Sequence, residues 1–179
     1  MHIISGTHKR RKLEIPKSAV RPTMDKVREA IFAMIRSEVS NAKVLDLFAG
    51  SGSLGLEALS EGAESCDFVE SSYTVVKILQ KNISNLAFDK YAHIHNCSAF
   101  SYLKNCIKTY DIIFFDPPYK REFAGKIIEA IYVNNVLSDD GIVVAETGKS
   151  EDISIFENFI IKEKIYGDTK VTILMKGTV

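Results

Sequence analysis

Val44-Leu45-Asp46-Leu47-Phe48-Ala49-Gly50-Ser51-Gly52-Ser53-Leu54-Gly55 joins a short apolar run to a G-x-G-x-x-G turn and then to helix-forming residues. Strand, glycine turn and helix in that order make a βαβ start in which the backbone turns tightly and brings amide N–H groups up to a ligand. Several nucleotide-derived cofactors use such a turn, and Asp46 separates them. It lies at the carboxyl end of the first strand, four residues before Gly50, and directs a negative charge into the same pocket. A pyrophosphate is repelled there, whereas S-adenosylmethionine, with its sulfonium and ammonium, is attracted. Glu70 follows the next strand, twenty residues after Gly50, where a carboxylate accepts hydrogen bonds from ribose hydroxyls in either cofactor class.

Outward from this stretch, short apolar runs alternate with helical patterns, which predicts an α/β fold with a mostly parallel sheet. The expected strands are 44–48, 68–69, 93–96, 112–115 and 142–145, with Val75, Val76, Leu79, Ile83 and Leu86 forming the buried stripe of the helix after the second. At the end of the chain the alternation breaks. Residues 159–166 and 170–175, separated by Gly167-Asp168, read as a terminal hairpin with one strand antiparallel to the rest. Upstream, Thr23 and Asp25 suit the start of a helix, and Val27, Ala30, Ile31, Met34 and Ile35 recur on one of its faces. Residues 2–5 and 11–15 read as a β-hairpin or arm closed by Pro16. The expected division is a basic arm over 1–20 and one doubly wound domain over 21–179.

The fourth strand ends in Asp116-Pro117-Pro118-Tyr119. Open α/β sheets bind ligands at the carboxyl ends of their strands, so two rigid prolines hold a carboxylate and an aromatic ring at the mouth of a cleft. The exocyclic amine of a nucleobase fits such a site. Its lone pair is delocalised, and acceptance of its hydrogens by Asp116 and the Pro117 carbonyl draws the nitrogen towards tetrahedral geometry. Tyr119 can stack on the base, and Lys120 and Arg121 can meet a phosphate. A base in folded RNA or a duplex must be splayed out to reach this position.

The chain has 179 residues, 46% of them apolar, enough for one packed core. Its net charge of zero hides a division: residues 1–36 hold nine Lys/Arg against three acids, with Lys9, Arg10, Arg11 and Lys12 consecutive. Such clustering points to a polyanionic partner. No apolar stretch is long enough to span a bilayer and the first residues lack a signal-peptide core, so a cytoplasmic protein without membrane contact is expected. Cys66, Cys97 and Cys106 carry neither disulfide nor zinc spacing. His93 and His95 alternate on a strand face without a third ligand nearby, so no metal is expected. Phe88, Tyr91 and Phe100 can line either the core or an interface.

Residues 46–59 together with Arg21-Pro22-Thr23, Val27-Arg28-Glu29-Ala30 and Asp116-Pro117-Pro118-Tyr119 resemble the RsmD-type bacterial 16S rRNA (guanine-N2)-methyltransferases, and the likeness runs over residues 3–146. The resemblance implies a class I S-adenosylmethionine-dependent (Rossmann-like) fold of seven strands and transfer of a methyl group to the N2 amine of one guanine in small-subunit rRNA. It further implies an assembled or partly assembled 30S particle as partner. It assigns Asp46, Phe48, Gly50, Ser51, Gly52 and Glu70 to the cofactor, Ser98 and Ala99 to its adenine, and Asp116, Pro117, Pro118 and Tyr119 to catalysis. Lys9, Arg10, Arg11, Lys12, Arg21, Thr23, Lys120 and Arg121 would meet RNA. Two positions depart from the pattern: Arg10 stands where the family usually has glycine, and Ser98 where an aspartate is common. Competing readings are an N6-adenine methyltransferase of DNA, a dinucleotide-dependent oxidoreductase resting on the glycine turn alone, and a non-catalytic ribosome assembly factor.

Overall fold

The computed structural model describes residues 1–16, 23–117 and 123–176, with the backbone alone at 23 and 24. Strands β1 (Lys43–Leu47), β2 (Ser65–Val69), β3 (Ala92–His95), β4 (Tyr110–Phe115) and β5 (Leu137–Gly148) alternate with helices α2 (Ser53–Ser60), α3 (Tyr73–Asn85), α4 (Ala99–Asn105) and α5 (Phe123–Val133). Helix α1 (Thr23–Val39) precedes them, and β6 (Ile160–Tyr166) and β7 (Thr169–Met175) close the chain. The seven strands lie in the order β3-β2-β1-β4-β5-β7-β6. Pairings among β1 to β5 are parallel, and β7 runs antiparallel to both β5 and β6. The expected terminal hairpin, with a single reversed strand, is therefore present.

This order follows from where apolar residues sit. In β1 and β4 both faces are covered: Val44, Leu45 and Leu47, and Ile112 to Phe115 without a break, have essentially no exposed surface. Continuous burial of that kind belongs to interior parallel strands. On one face Val44, Ile112, Phe114 and Val144 meet Val27, Ile31 and Ile35 of α1 together with α2 and α3. On the other, Leu45, Leu47, Ile113 and Phe115 meet Leu103 of α4 and Ile127, Ile128 and Ile131 of α5. The α1 stripe packs as its spacing predicts, each of its three aliphatics contributing about 1.5–3 kcal/mol by leaving water.

Chain order reverses between β1 and β4: after β3 the chain crosses over β1 to its far side. Loops from these two neighbours diverge to opposite faces and leave a crevice at their carboxyl ends. Both motif-bearing loops open there. The first residues form a small hairpin, bridged at His2 and Lys12, around a short 3-10 turn over Gly6–His8. It drives Ile3 and Leu13 into the core. Among the described residues no helix is long and apolar enough to cross a membrane.

Candidate active site

Beyond β1 the backbone doubles back through three left-handed residues, Phe48 (φ 60°), Gly50 (φ 57°) and Gly52 (φ 84°). A side chain at Gly52 would meet Leu79 Cδ1 at 2.4 Å, so this glycine answers both to backbone and to packing on α3. A Cβ on Gly50 would have open space around it, its nearest neighbour being the Phe48 carbonyl oxygen at 3.9 Å. There the demand is on backbone shape and on close approach by a ligand. Gly50 donates its amide to Glu70 Oε2 at 3.0 Å, and Ser72 donates to Glu70 Oε1 at 2.7 Å. These bonds fix the Glu70 carboxylate across the turn while leaving it lone pairs for diol hydroxyls.

Asp46 points to the helical face that carries Val44, into the floor of the crevice. It is 2% exposed and accepts the Gly55 amide at 2.9 Å on Oδ2. Burial pushes its carboxyl up to about 8; the Gly55 bond works against this, while nearby Asp116 and Glu70 add to it. A cation delivered beside it reverses the balance. Asp116, one residue past β4, is half-buried and the following Pro117 is buried. Asp46 and Asp116 line one cleft of about 200 Å³ together with Phe48, Gly50, Ser51, Ser53, Arg28 and Glu146. The two acids thus come from adjacent strands into a shared space.

Ser98 and Ala99 lie apart from that lining, at the start of α4. The Ser98 hydroxyl caps this helix by accepting the Ser101 amide at 3.1 Å, which is ordinary N-cap work, and Ala99 is buried. Phe48, Phe123 and Phe100 form an edge-on series, with centroids 5.6 and 5.4 Å apart. Sequence reasoning left Phe123 out and could not place Phe100, which is exposed. Pro118, Tyr119, Lys120, Arg121 and Arg21, and the side chain of Thr23, fall outside the described residues.

Three further charged residues belong to this region and were not anticipated as functional: Arg28, Glu57 and Glu146. Glu57 is fully buried and accepts the amides of Ile4 (2.9 and 3.0 Å) and Ser5 (2.7 Å) from the hairpin. Arg28, also buried, donates through Nη2 to the His2 carbonyl at 2.5 Å and to Asp25 at 3.1 Å, with Nε 3.4 Å from Glu57. Signals existed for each. Glu57 is a lone acid inside an apolar helix, Arg28 adjoins Val27 on a buried stripe, and Glu146 follows the apolar run Ile142 to Ala145 just as Asp116 follows Ile112 to Phe115.

Lys9, Arg10, Arg11 and Lys12 are all exposed at the hairpin, and Arg11 donates to the Asn85 carbonyl at 2.6 Å. Arg10 adopts φ 68°, the left-handed geometry that glycine would meet without strain, and its amide bonds to the Ile3 carbonyl at 2.8 Å. His95 pairs with buried Asp67 at 2.6 Å, and Lys108 and Tyr110 bond the same carboxylate at 3.0 Å each. That network gives His95 a structural partner and holds the Asp67 carboxyl below its usual range, the hydrogen bonds outweighing the opposing effect of burial.

The carboxyl groups lining the crevice fit a cofactor that carries positive charge, as S-adenosylmethionine does. Comparison with known proteins gives a consistent picture. Residues 1–175 match the family described as Conserved hypothetical protein 95. Bacillus subtilis YlbH is 35% identical, covering 98% of this chain and 99% of its own. The ribosomal RNA small subunit methyltransferase D of Haemophilus influenzae is 36% identical over 93% of this chain and 89% of its own. The solved structure of Escherichia coli yhhF superposes with a TM-score of 0.88 at 32% identity, covering 97% and 96% of the two chains.

Proposed function

Since the chain belongs to the Conserved hypothetical protein 95 family, that of the RsmD-type rRNA methyltransferases, we propose that it methylates the exocyclic N2 of a guanine in small-subunit rRNA. The observation that carries this reading is the meeting of Asp46 and Asp116, from neighbouring strands, in one cleft beside the glycine turn. S-adenosylmethionine would supply an electrophilic methyl group on a sulfonium. In this reading Asp46 faces the cationic part of the donor, the Gly50 backbone lets it approach, and Glu70 takes its ribose diol. Phe48, Ser51 and Gly52 shape the same pocket, and Ser98 and Ala99 border the adenine.

Asp116 and the Pro117 carbonyl accept the two amine hydrogens of the guanine, which localises the nitrogen lone pair and aims it along the line of transfer. Pro118 stiffens the loop and Tyr119 stacks on the base. Residues 1–20 serve as the basic arm and residues 21–179 as the methyl-transfer domain. Lys9, Arg10, Arg11, Lys12, Arg21, Thr23, Lys120 and Arg121 engage the RNA backbone within an assembled or partly assembled small subunit, in the cytoplasm.

Asp116→Ala is expected to abolish methyl transfer while binding of S-adenosylhomocysteine, followed by calorimetry, stays within a few-fold of the parent. Mass spectrometry of rRNA from a deletion strain should show one N2-methylguanosine missing, restored by the parent gene and not by the variant. An unchanged modification profile rejects the reading. Assays run side by side on free rRNA, intact small subunits and duplex DNA identify the acceptor, and turnover on DNA alone would transfer the chemistry to adenine N6.

A further inference from the structure

Arg28 presents an incomplete set of partners in a place where incompleteness is costly. Its side chain is 3% exposed, yet only Nη2 makes hydrogen bonds, to the His2 carbonyl and Asp25. Nε and Nη1 have no hydrogen-bond partner among the described residues. Nε lies 3.4 Å from Glu57 Oε2, close enough for charge attraction but without hydrogen-bond alignment. Buried N–H groups of a guanidinium are normally satisfied, and one left over calls for a bound group to complete it.

The same arginine lines the crevice with Asp46, Asp116 and Glu146, and it is the only cationic side chain lining it among the described residues. Three carboxylates suit the ammonium and the sulfonium of S-adenosylmethionine, but the donor also carries a carboxylate of its own. A buried cationic side chain lining the cleft is its natural counterpart. Arg28 offers a planar fork of N–H donors, partly unspent and held in place through Nη2.

We propose that Arg28 binds the α-carboxylate of the methyl donor and makes the cleft select for donors that bear an amino-acid tail. This inference rests on the S-adenosylmethionine reading above and assigns a recognition role to a residue of α1, upstream of the glycine turn.

The test compares two ligands that differ only in the carboxylate: S-adenosylmethionine and decarboxylated S-adenosylmethionine. Calorimetry is run on the parent protein, on Arg28→Met and on Arg28→Lys. The double variant Arg28→Met/Glu57→Gln is added so that no buried carboxylate is left facing an apolar side chain. The parent should prefer the carboxylated donor by about 10- to 100-fold, the range expected for charge-assisted hydrogen bonds. Arg28→Met and the double variant should lose that preference while binding the decarboxylated donor as the parent does. Arg28→Lys should keep part of it.

A merely structural arginine would weaken both ligands equally, and that outcome overturns the proposal. Equal affinity of the parent for the two ligands overturns it as well, whatever the variants do, and would move the carboxylate to the amides at the start of α2. Failure of the parent to bind either ligand is a different result: it removes the S-adenosylmethionine reading itself, and the role of Arg28 falls with it.

Discussion

At the scale of single residues, the buried Asp46 carboxyl has a thermodynamic signature that solution measurements can read. With its ionisation pushed up to about 8 by burial, it is mostly protonated in the cofactor-free protein at pH 7. A cation beside it favours the charged form, so binding a sulfonium donor at pH 7 should release about one proton. Calorimetric enthalpies in phosphate and in Tris should therefore differ by about the difference between the ionisation heats of the two buffers. The sign follows directly: donor affinity rises with pH up to the free-state value and levels off above it, and Asp46→Asn removes both effects. Gly52 sets a second constraint. Alanine there combines φ 84° with a Cβ 2.4 Å from Leu79 Cδ1, so denaturant unfolding of Gly52→Ala should show a loss of about 2–4 kcal/mol. The gathering of Asp46, Gly50, Gly52 and Asp116 about one crevice was legible in the sequence because each sits at a fixed offset from an apolar run. The Arg28–Glu57 pairing was not, since it joins residues of different helices and no periodicity encodes it.

At the scale of elements, the N-terminal hairpin carries the most information that the sequence withheld. Its two extended runs were legible, but the 3-10 turn over Gly6–His8 and the left-handed Arg10 were not. His8 donates its amide to Ser60 Oγ at 3.0 Å, Ser60 Oγ donates to the Ser5 carbonyl at 2.6 Å, and Ser5 also bonds Glu61. Asn82 of α3 receives the Glu14 amide at 2.8 Å and donates to the carbonyls of Glu14 and Ser51, which links the hairpin to the glycine turn. Arg10 bears a backbone strain that glycine would relieve. Arg10→Gly should raise stability by about 1 kcal/mol, a rise in Tm of about 2–4 °C by calorimetry, while removing one exposed charge. Helix α4 escaped the sequence reading because seven residues are too few to show a period, whereas α1 and α3 declared theirs over 17 and 13 residues.

At the scale of the whole molecule, strand order brings both motif-bearing loops to one crevice between β1 and β4. The five parallel strands and the reversed β7 were legible because Ile112 to Phe115 and Ile142 to Ala145 read as buried runs and Gly167-Asp168 as a tight turn. The neighbour relations were not, since sequence patterns give the strands and not their lateral order. A basic hairpin on an otherwise acidic chain predicts salt-sensitive binding to RNA. Replacing both Lys9 and Lys12 with Ala should reduce the slope of log affinity against log salt by about one per residue, measured by filter binding to small-subunit rRNA. The replacement should leave donor binding unaltered.

Glu57 gathers the amides of Ile4 and Ser5, and its consequence is mechanical. Tied to α2 in this way, the hairpin would meet the polynucleotide of the proposed reaction as a fixed template. The work of bending and unstacking needed to seat a nucleotide then falls on the nucleic acid, and substrates already loosened at that spot are the ones such a template admits.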